Sequence, residues 1–151
     1  MAHVHSKEKI IEAEQTLAKM AIVLGSDHLD KVFAAFQLAN TAAASDIETV
    51  IYFTIWGVNV IKKGEAEKLS LSSDYSRYQE RLKKGMEETR SPSISKMIMD
   101  AKELGIKFLA CETWMALLGV KKEDLIEEVD DVVGYPTFTL IAKDANLTFF
   151  I

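Results

Sequence analysis

MAIVLGSDHLDKVFAAFQLANTAAASDIETVIYFT, residues 20–54, changes character twice. Met20 to Leu24 is an unbroken apolar run halted by Gly25-Ser26-Asp27, the pattern of a strand buried on both faces and followed by a turn. From His28 to Ala44 the apolar residues Leu29, Val32, Phe33, Phe36, Leu38 and Ala39 return at roughly helical spacing, and Asp27 is placed to cap the helix. Ile47 to Thr54 is β-branched and aromatic again, as strands are. A helix in the crossover requires the two strands to be parallel. The opening third is therefore a β-α-β unit, and the fold class is α/β.

The rest of the chain extends the alternation. Ile55 to Lys63 reads as a short helix or turn stopped by Gly64. Residues 65–95 are polar and charged, with Tyr75, Tyr78, Leu82 and Met86 as the main apolar points, and read as an insertion of exposed helical pieces. A new helix starts at Ser93 or Ser95 and runs through Ile98 to Leu104, with Gly105 as its stop. Ile106 to Ala110 is the third strand, with Cys111 directly at its end. Glu112 to Leu118 forms a helix closed by Gly119, and a helical turn covers Lys121 to Glu127. Val132 and Val133 make a short fourth strand, Pro136 suits the first turn of a helix through Ala145, and Leu147 to Ile151 is the last strand. Five strands separated by helices predict a three-layer α/β/α sandwich on a mostly parallel five-stranded sheet. Residues 19–151 are expected to form one domain, and residues 1–18 a tail or an extra helix.

Composition narrows the function. The 151 residues are 48% hydrophobic, enough for a sizeable core, and 18 basic residues face 23 acidic ones for a net charge of −5. Nucleic-acid binding needs a concentrated basic surface to neutralise phosphates, so this balance argues against it. The single cysteine excludes an intramolecular disulfide, which points to a reducing cytoplasm. Charged residues break every apolar stretch before it reaches membrane-spanning length, so neither export nor a membrane partner is expected.

In open parallel sheets the crevice lies at the carboxyl ends of the strands. Four segments fall there: Gly25-Ser26-Asp27-His28, Ile55-Trp56-Gly57, Cys111-Glu112 and Gly134-Tyr135. Cys111 is the sharpest candidate, because a thiol between a strand and a helix lies near unpaired backbone N–H groups and the positive end of the helix dipole. Both favour thiolate, whereas Glu112 opposes it if its carboxylate faces the same way. A lone cysteine also packs commonly as a small buried hydrophobe. Without a resolving partner, intrachain dithiol exchange is excluded, but one thiolate still carries sulfane sulfur or exchanges with a partner's thiol. His28 and Asp27 are candidate polarising contacts, with a plain helix start as the competing reading. Trp56, Gly57 and Trp114 are candidate pocket walls, with core packing as the alternative. Gly25-Ser26-Asp27-His28 lacks both phosphate-loop signatures, and His3 with His5 makes only a two-ligand pair. No cofactor or metal is expected. Met97, Met99 and Met115 read as core fillers, and residues 123–131 as a solvated acidic face.

Three pieces together carry a resemblance: the strand followed by Gly25-Ser26-Asp27, the FTIWG of residues 53–57, and ACETWMALLG at 110–119. From about Lys19 onward the chain resembles the DsrE/DsrF-like family, in particular its branch labelled DsrE-like or peroxiredoxin-like; residues 65–95 carry least of the likeness. The resemblance implies a DsrEFH-like sandwich, assembled as a homotrimer or hexamer, in which the cysteine after the third strand carries sulfur. Cys111 matches that position. It further implies exchange with TusA-like carriers and rhodanese-like enzymes as sulfur donors and acceptors. Some related branches have a second cysteine that this chain lacks, so two-thiol mechanisms do not transfer, and no Thr-x-x-Cys peroxidatic motif surrounds Cys111. The expected function is a cytoplasmic sulfur carrier or sulfurtransferase. The alternatives are a nucleotide- or flavin-binding module in the same crevice, or a structural or regulatory subunit with Cys111 as packing.

Overall fold

Strands that are apolar on both faces need helices on both sides, and the computed structural model, which describes residues 18–151, supplies them. The opening unit is β1 (Lys19–Leu24), α1 (Leu29–Ala44) and β2 (Glu48–Phe53), the strands paired in parallel from Lys19–Glu48 to Leu24–Phe53. The Ile55–Ile61 segment is a 3-10 helix. The polar stretch contains two further 3-10 turns and α2 (Gln79–Glu88). Then follow α3 (Ile94–Glu103), β3 (Lys107–Cys111), α4 (Glu112–Leu118), β4 (Asp131–Val133), α5 (Tyr135–Ala142) and β5 (Leu147–Phe150). The sheet order is β4-β3-β2-β1-β5 and every pairing is parallel. The expected α/β/α sandwich is observed. The expected tail or helix over residues 1–18 lies, except for Ala18, outside the described residues, as do His3 and His5.

Alternation along the central strand divides the core in two. Ile51 and Phe53 point toward α1 and α3, where Phe53 meets Phe108 edge-on at 5.2 Å and Phe36 lies 5.9 Å from Phe108. Val50 and Tyr52 point the other way, into a smaller cluster with Leu109, Cys111, Val133 and Phe138 of α5. Phe138 stacks on Tyr52 with ring centroids 4.2 Å apart. The thiol therefore lies on the α5 face of the sheet. In the apolar segments VFAAFQLA and YFTIWGVNV, Phe36, Tyr52, Phe53, Val58 and Val60 are fully buried, whereas Leu38 and Trp56 are exposed.

Local chemistry sets the element ends. Ser93 Oγ accepts a hydrogen bond from the Lys96 N–H and caps α3, and Gly105 and Gly119 end their helices at positive φ. Asp27 does not cap α1: the helix begins at Leu29, the cap residue is His28 without a side-chain bond, and the Leu29 N–H is satisfied by the Ser70 carbonyl. The polar stretch thus closes the start of α1. α5 ends at Ala142, not Ala145, in a turn where the Ala145 N–H bonds the Ala142 carbonyl. Met97 and Met115 fill the core, whereas Met99 is exposed. Within the acidic face, Asp130 ties the start of β3 in place, since its Oδ2 accepts from the Phe108 N–H at 2.7 Å and pairs with Lys102.

Candidate functional site

Residues two apart on a strand share a face, so Tyr52 and Thr54 of one strand end lie beside Leu109 and Cys111 of its neighbour. Cys111 is fully buried, and its partner in register across the sheet is Val133. Tyr52 OH donates to the Val133 carbonyl at 3.1 Å. Thr54 Oγ1 and Tyr135 OH share a hydrogen bond of 2.7 Å, and the Tyr52 and Tyr135 rings meet edge-on at 5.7 Å. Three hydroxyls, from the end of β2 and the start of α5, thus lie on the face of the sheet that holds Cys111.

Burial by itself raises the thiol pKa, since it disfavours the charged form, but Cys111 is held below the ordinary thiol value. The Thr54 and Tyr52 hydroxyls, the Trp114 N–H and the Tyr135 hydroxyl stabilise the thiolate and outweigh desolvation. Cys111 is the cap residue of α4, and its sulfur makes no side-chain cap bond in this structure; the Trp114 N–H contributes as a nearby dipole. Tyr52 is shifted strongly upward, first by burial and then by hydrogen bonding to Cys111. It therefore stays a protonated donor while the cysteine ionises.

The FTIWG segment shapes the wall. A β-carbon on Gly57 would overlap the Leu24 carbonyl oxygen, so the chain passes β1 there only as glycine. Ile55 has φ of 53°, a left-handed conformation rare for a β-branched residue. This turn presents Trp56, 53% exposed, with its ring 5.9 Å from that of Trp114. Glu112 is exposed, and its carboxylate lies beside Gly134.

Cys111, Trp56, Gly57, Glu112 and Trp114 therefore gather at one end of the sheet. Asp27 and His28 do not join them. Asp27 Oδ2 accepts from Asn59 Nδ2 at 3.0 Å, and both residues line a separate polar pocket with Lys62, Glu65 and Lys68. Sequence reasoning misses Tyr52 and Thr54 because they look like ordinary strand residues. The usable signal is the i, i+2 spacing of hydroxyls leading off the strand next to the cysteine. Tyr135 falls at the correct strand end, but its partnership with Thr54 is not legible. Among the described residues no group of three or more His, Cys, Asp or Glu is arranged to hold a metal ion, and no helix is long and apolar enough to cross a membrane.

Fold and site together define a class: parallel α/β/α sandwiches with a cysteine at the end of the third strand, under a helix start. The chain belongs to the DsrE/DsrF/DrsH-like family, whose model matches residues 16–81 and 67–150. The two matches overlap at residues 67–81, within the polar stretch. The protein YrkE of Bacillus subtilis is 30% identical over 160 residues, covering 91% of this chain and 99% of that protein. Sulfur carrier protein DsrE2 of Allochromatium vinosum is 23% identical over 156 residues, covering 88% and 98%. Among solved structures, the protein of unknown function MTH1491 from Methanobacterium thermoautotrophicum superposes with a TM-score of 0.59 at 16% identity, over 87% of this chain and 96% of that one. The ychN protein of E. coli does so at 0.55 and 14%, over 89% and 99%. These two share the fold. The family is a sulfur-relay family, in keeping with the name of one distant relative.

Proposed function

We propose that this protein is a cytoplasmic sulfur carrier or sulfurtransferase that accepts sulfane sulfur on Cys111 and passes it to an acceptor thiol, working as a homo-oligomer between donor and acceptor proteins of the rhodanese-like and TusA-like kinds. The observation that carries the reading is Cys111 at the end of β3, buried on the same face of the sheet as the Tyr52, Thr54 and Tyr135 hydroxyls, which hold its thiol below the ordinary value despite burial. In the transfer, the Cys111 thiolate attacks the outer sulfur of a donor persulfide. The donor's S–S bond breaks, the donor leaves as a thiolate, and the new S–S bond is on Cys111, so no oxidant is required. The terminal sulfur of the adduct is anionic. Hydrogen bonds from fixed hydroxyls stabilise it much as they stabilise the thiolate. Because Cys111 is fully buried, loading requires the side chains over it to move aside.

The deciding experiment is intact mass spectrometry of native protein after incubation with polysulfide, thiosulfate or tetrathionate. The expected result is a gain of about 32 Da for one sulfur, or about 112 Da for an –S–SO3 group, removed by reductant and absent from Cys111→Ser. Equal loading of that variant eliminates the reading. Complete burial favours one competing reading, Cys111 as core packing; a native thiol inert to every donor and labelled only in denaturant would establish it.

A further inference from the structure

Acidic residues are spread unevenly along the chain. Between Glu112 and Tyr135 there are seven of them against two lysines, a net −5 that equals the charge of the whole chain, so the remaining residues are balanced. The fold brings this stretch round to the thiol. Its turn section is tied to the end of the 3-10 helix that carries Trp56, where the Ile126 N–H bonds the Ile61 carbonyl at 2.9 Å. It then enters β4, where Asp131 and Val133, two residues apart, share the face of the sheet that holds Cys111. Val133 is in register with Cys111, so Asp131 lies about 7 Å back along the same edge. Glu112 puts its carboxylate beside Gly134, the next residue along. Among the described residues Glu112, Glu127, Glu128 and Asp131 form no ion pair, whereas Asp130 is matched by Lys102. Lys107 shares the face but sits at the far end of β3.

Next to this acidic border the surface is apolar. Trp56 is 53% exposed, Leu117 68% and Tyr135 41%. Trp114 joins the first two, its ring 5.9 Å from that of Trp56 and its place on α4 one turn before Leu117. The segments that bear these side chains, residues 54–58, 111–119 and 133–139, contain one charged residue, Glu112, and no cation. Exposed aromatic and aliphatic side chains with a charged border make up the pattern of a protein-docking surface. Building on the reading of Cys111 as a sulfur carrier, we propose that this surface receives a partner protein whose own sulfur-bearing residue is set among basic side chains. Carboxylates beside an apolar centre attract a cationic rim, speed the encounter and turn acidic surfaces away. A second copy of this chain would bring the same carboxylates against each other, so the occupant is a different, basic protein.

The test uses the native full-length protein and two short peptides, one with lysines on both sides of a central cysteine and one with glutamates there, each activated as its thiopyridyl disulfide. The Cys111 thiolate attacks the peptide sulfur, the peptide's S–S bond breaks, and thiopyridone leaves and is followed by its absorbance. Intact mass counts the adduct, which Cys111→Ser cannot form. At low salt the basic peptide should react at least about tenfold faster than the acidic one, and the ratio should fall toward one in about 0.5 M salt. Glu127→Gln/Glu128→Gln/Asp131→Asn should cut the ratio at least about threefold. Asp74→Asn/Glu80→Gln/Glu87→Gln removes as many charges from the polar stretch, which packs against α1 on the opposite face of the sheet, and should leave the ratio unchanged. Equal rates for the two peptides, a ratio insensitive to the first variant, or an equal loss in both variants overturns the assignment and leaves the carrier reading standing. Rates that fall as the protein is concentrated, the mark of a second copy on this surface, overturn it in the same way. A native thiol inert to both peptides overturns the carrier reading, and this one with it.

Discussion

At the scale of single residues, the site is a contest between desolvation and hydrogen bonding at one sulfur. A buried thiol with no donors ionises above the free value of about 8.5; Cys111 goes the other way because hydroxyls converge on it. Proton counting shows which hydroxyls are free to help. One hydrogen lies between Thr54 and Tyr135, so one of that pair still has a hydrogen to offer the sulfur. Tyr52 has a single hydrogen, given to the Val133 carbonyl in this structure, and must turn to reach a thiolate. Thr54→Val keeps the shape and removes one donor. The native thiol, followed by its thiolate absorbance or by the pH dependence of alkylation, should titrate below the ordinary thiol value. In Thr54→Val the midpoint should rise by about one to two units, the worth of one hydrogen bond to a charged group. An unchanged midpoint would remove Thr54 from the site. Cys111 itself is legible in the sequence because its position, between an apolar run and a helix signal, survives any uncertainty in boundaries. Its donors are not, since Thr54 and Tyr135 are 81 residues apart and only the packing of α5 across β2 brings them together.

Among the elements, the turn after β2 is constrained from several sides. It begins at an isoleucine with left-handed φ, passes Gly57 against the backbone of β1, and continues into a 3-10 helix whose Val58, Val60 and Ile61 are fully buried. The buried apolar residues anchor the helix, and the anchored helix holds the turn in a conformation its first residue disfavours. Gly57→Ala forces the backbone of the turn or of β1 to shift. The expected loss is about 1–3 kcal/mol, a fall in Tm of roughly 2–4 °C per kcal/mol for a chain of this size, measured by thermal denaturation. Sulfur loading should drop further than stability does, because Trp56 moves with the turn. A variant as stable and as active as the parent would show that β1 yields easily there. The sequence announces a turn at Gly57 but not its reason, since glycine as a stop and glycine as a close approach look alike in one dimension. The cap of α1 is misread from sequence for a related cause: Asp27 has the right chemistry and a neighbour, Asn59, that takes it away.

For the whole molecule, the parallel sheet is readable because each strand is apolar on both faces, a pattern that only a doubly covered sheet satisfies. The return of β5 to the side of β1 is not readable, since it depends on α5 crossing the face that holds the thiol. That placement ties global stability to the site's ionisation. Cys111 has a lowered pKa in the folded state, so its contribution to stability is fully present above the unfolded value of about 8.5 and is lost as pH falls through the folded value. Tyr52 is raised, so its contribution is fully present below the unfolded value of about 10 and is lost as pH climbs beyond it. The folded protein should therefore gain on Cys111→Ser as pH rises toward about 8.5 and hold that margin above it, while both proteins lose ground above about 10, where Tyr52→Phe should suffer less than the parent. Urea midpoints measured for the three proteins from pH 6 to 11 give these differences directly. Constant offsets from the altered side chains drop out, since only the change with pH is compared. A margin over Cys111→Ser that shrinks between pH 6 and 8.5 would mean that burial, not the hydroxyl cage, controls this thiol, and the chemistry proposed for it would lose its physical basis.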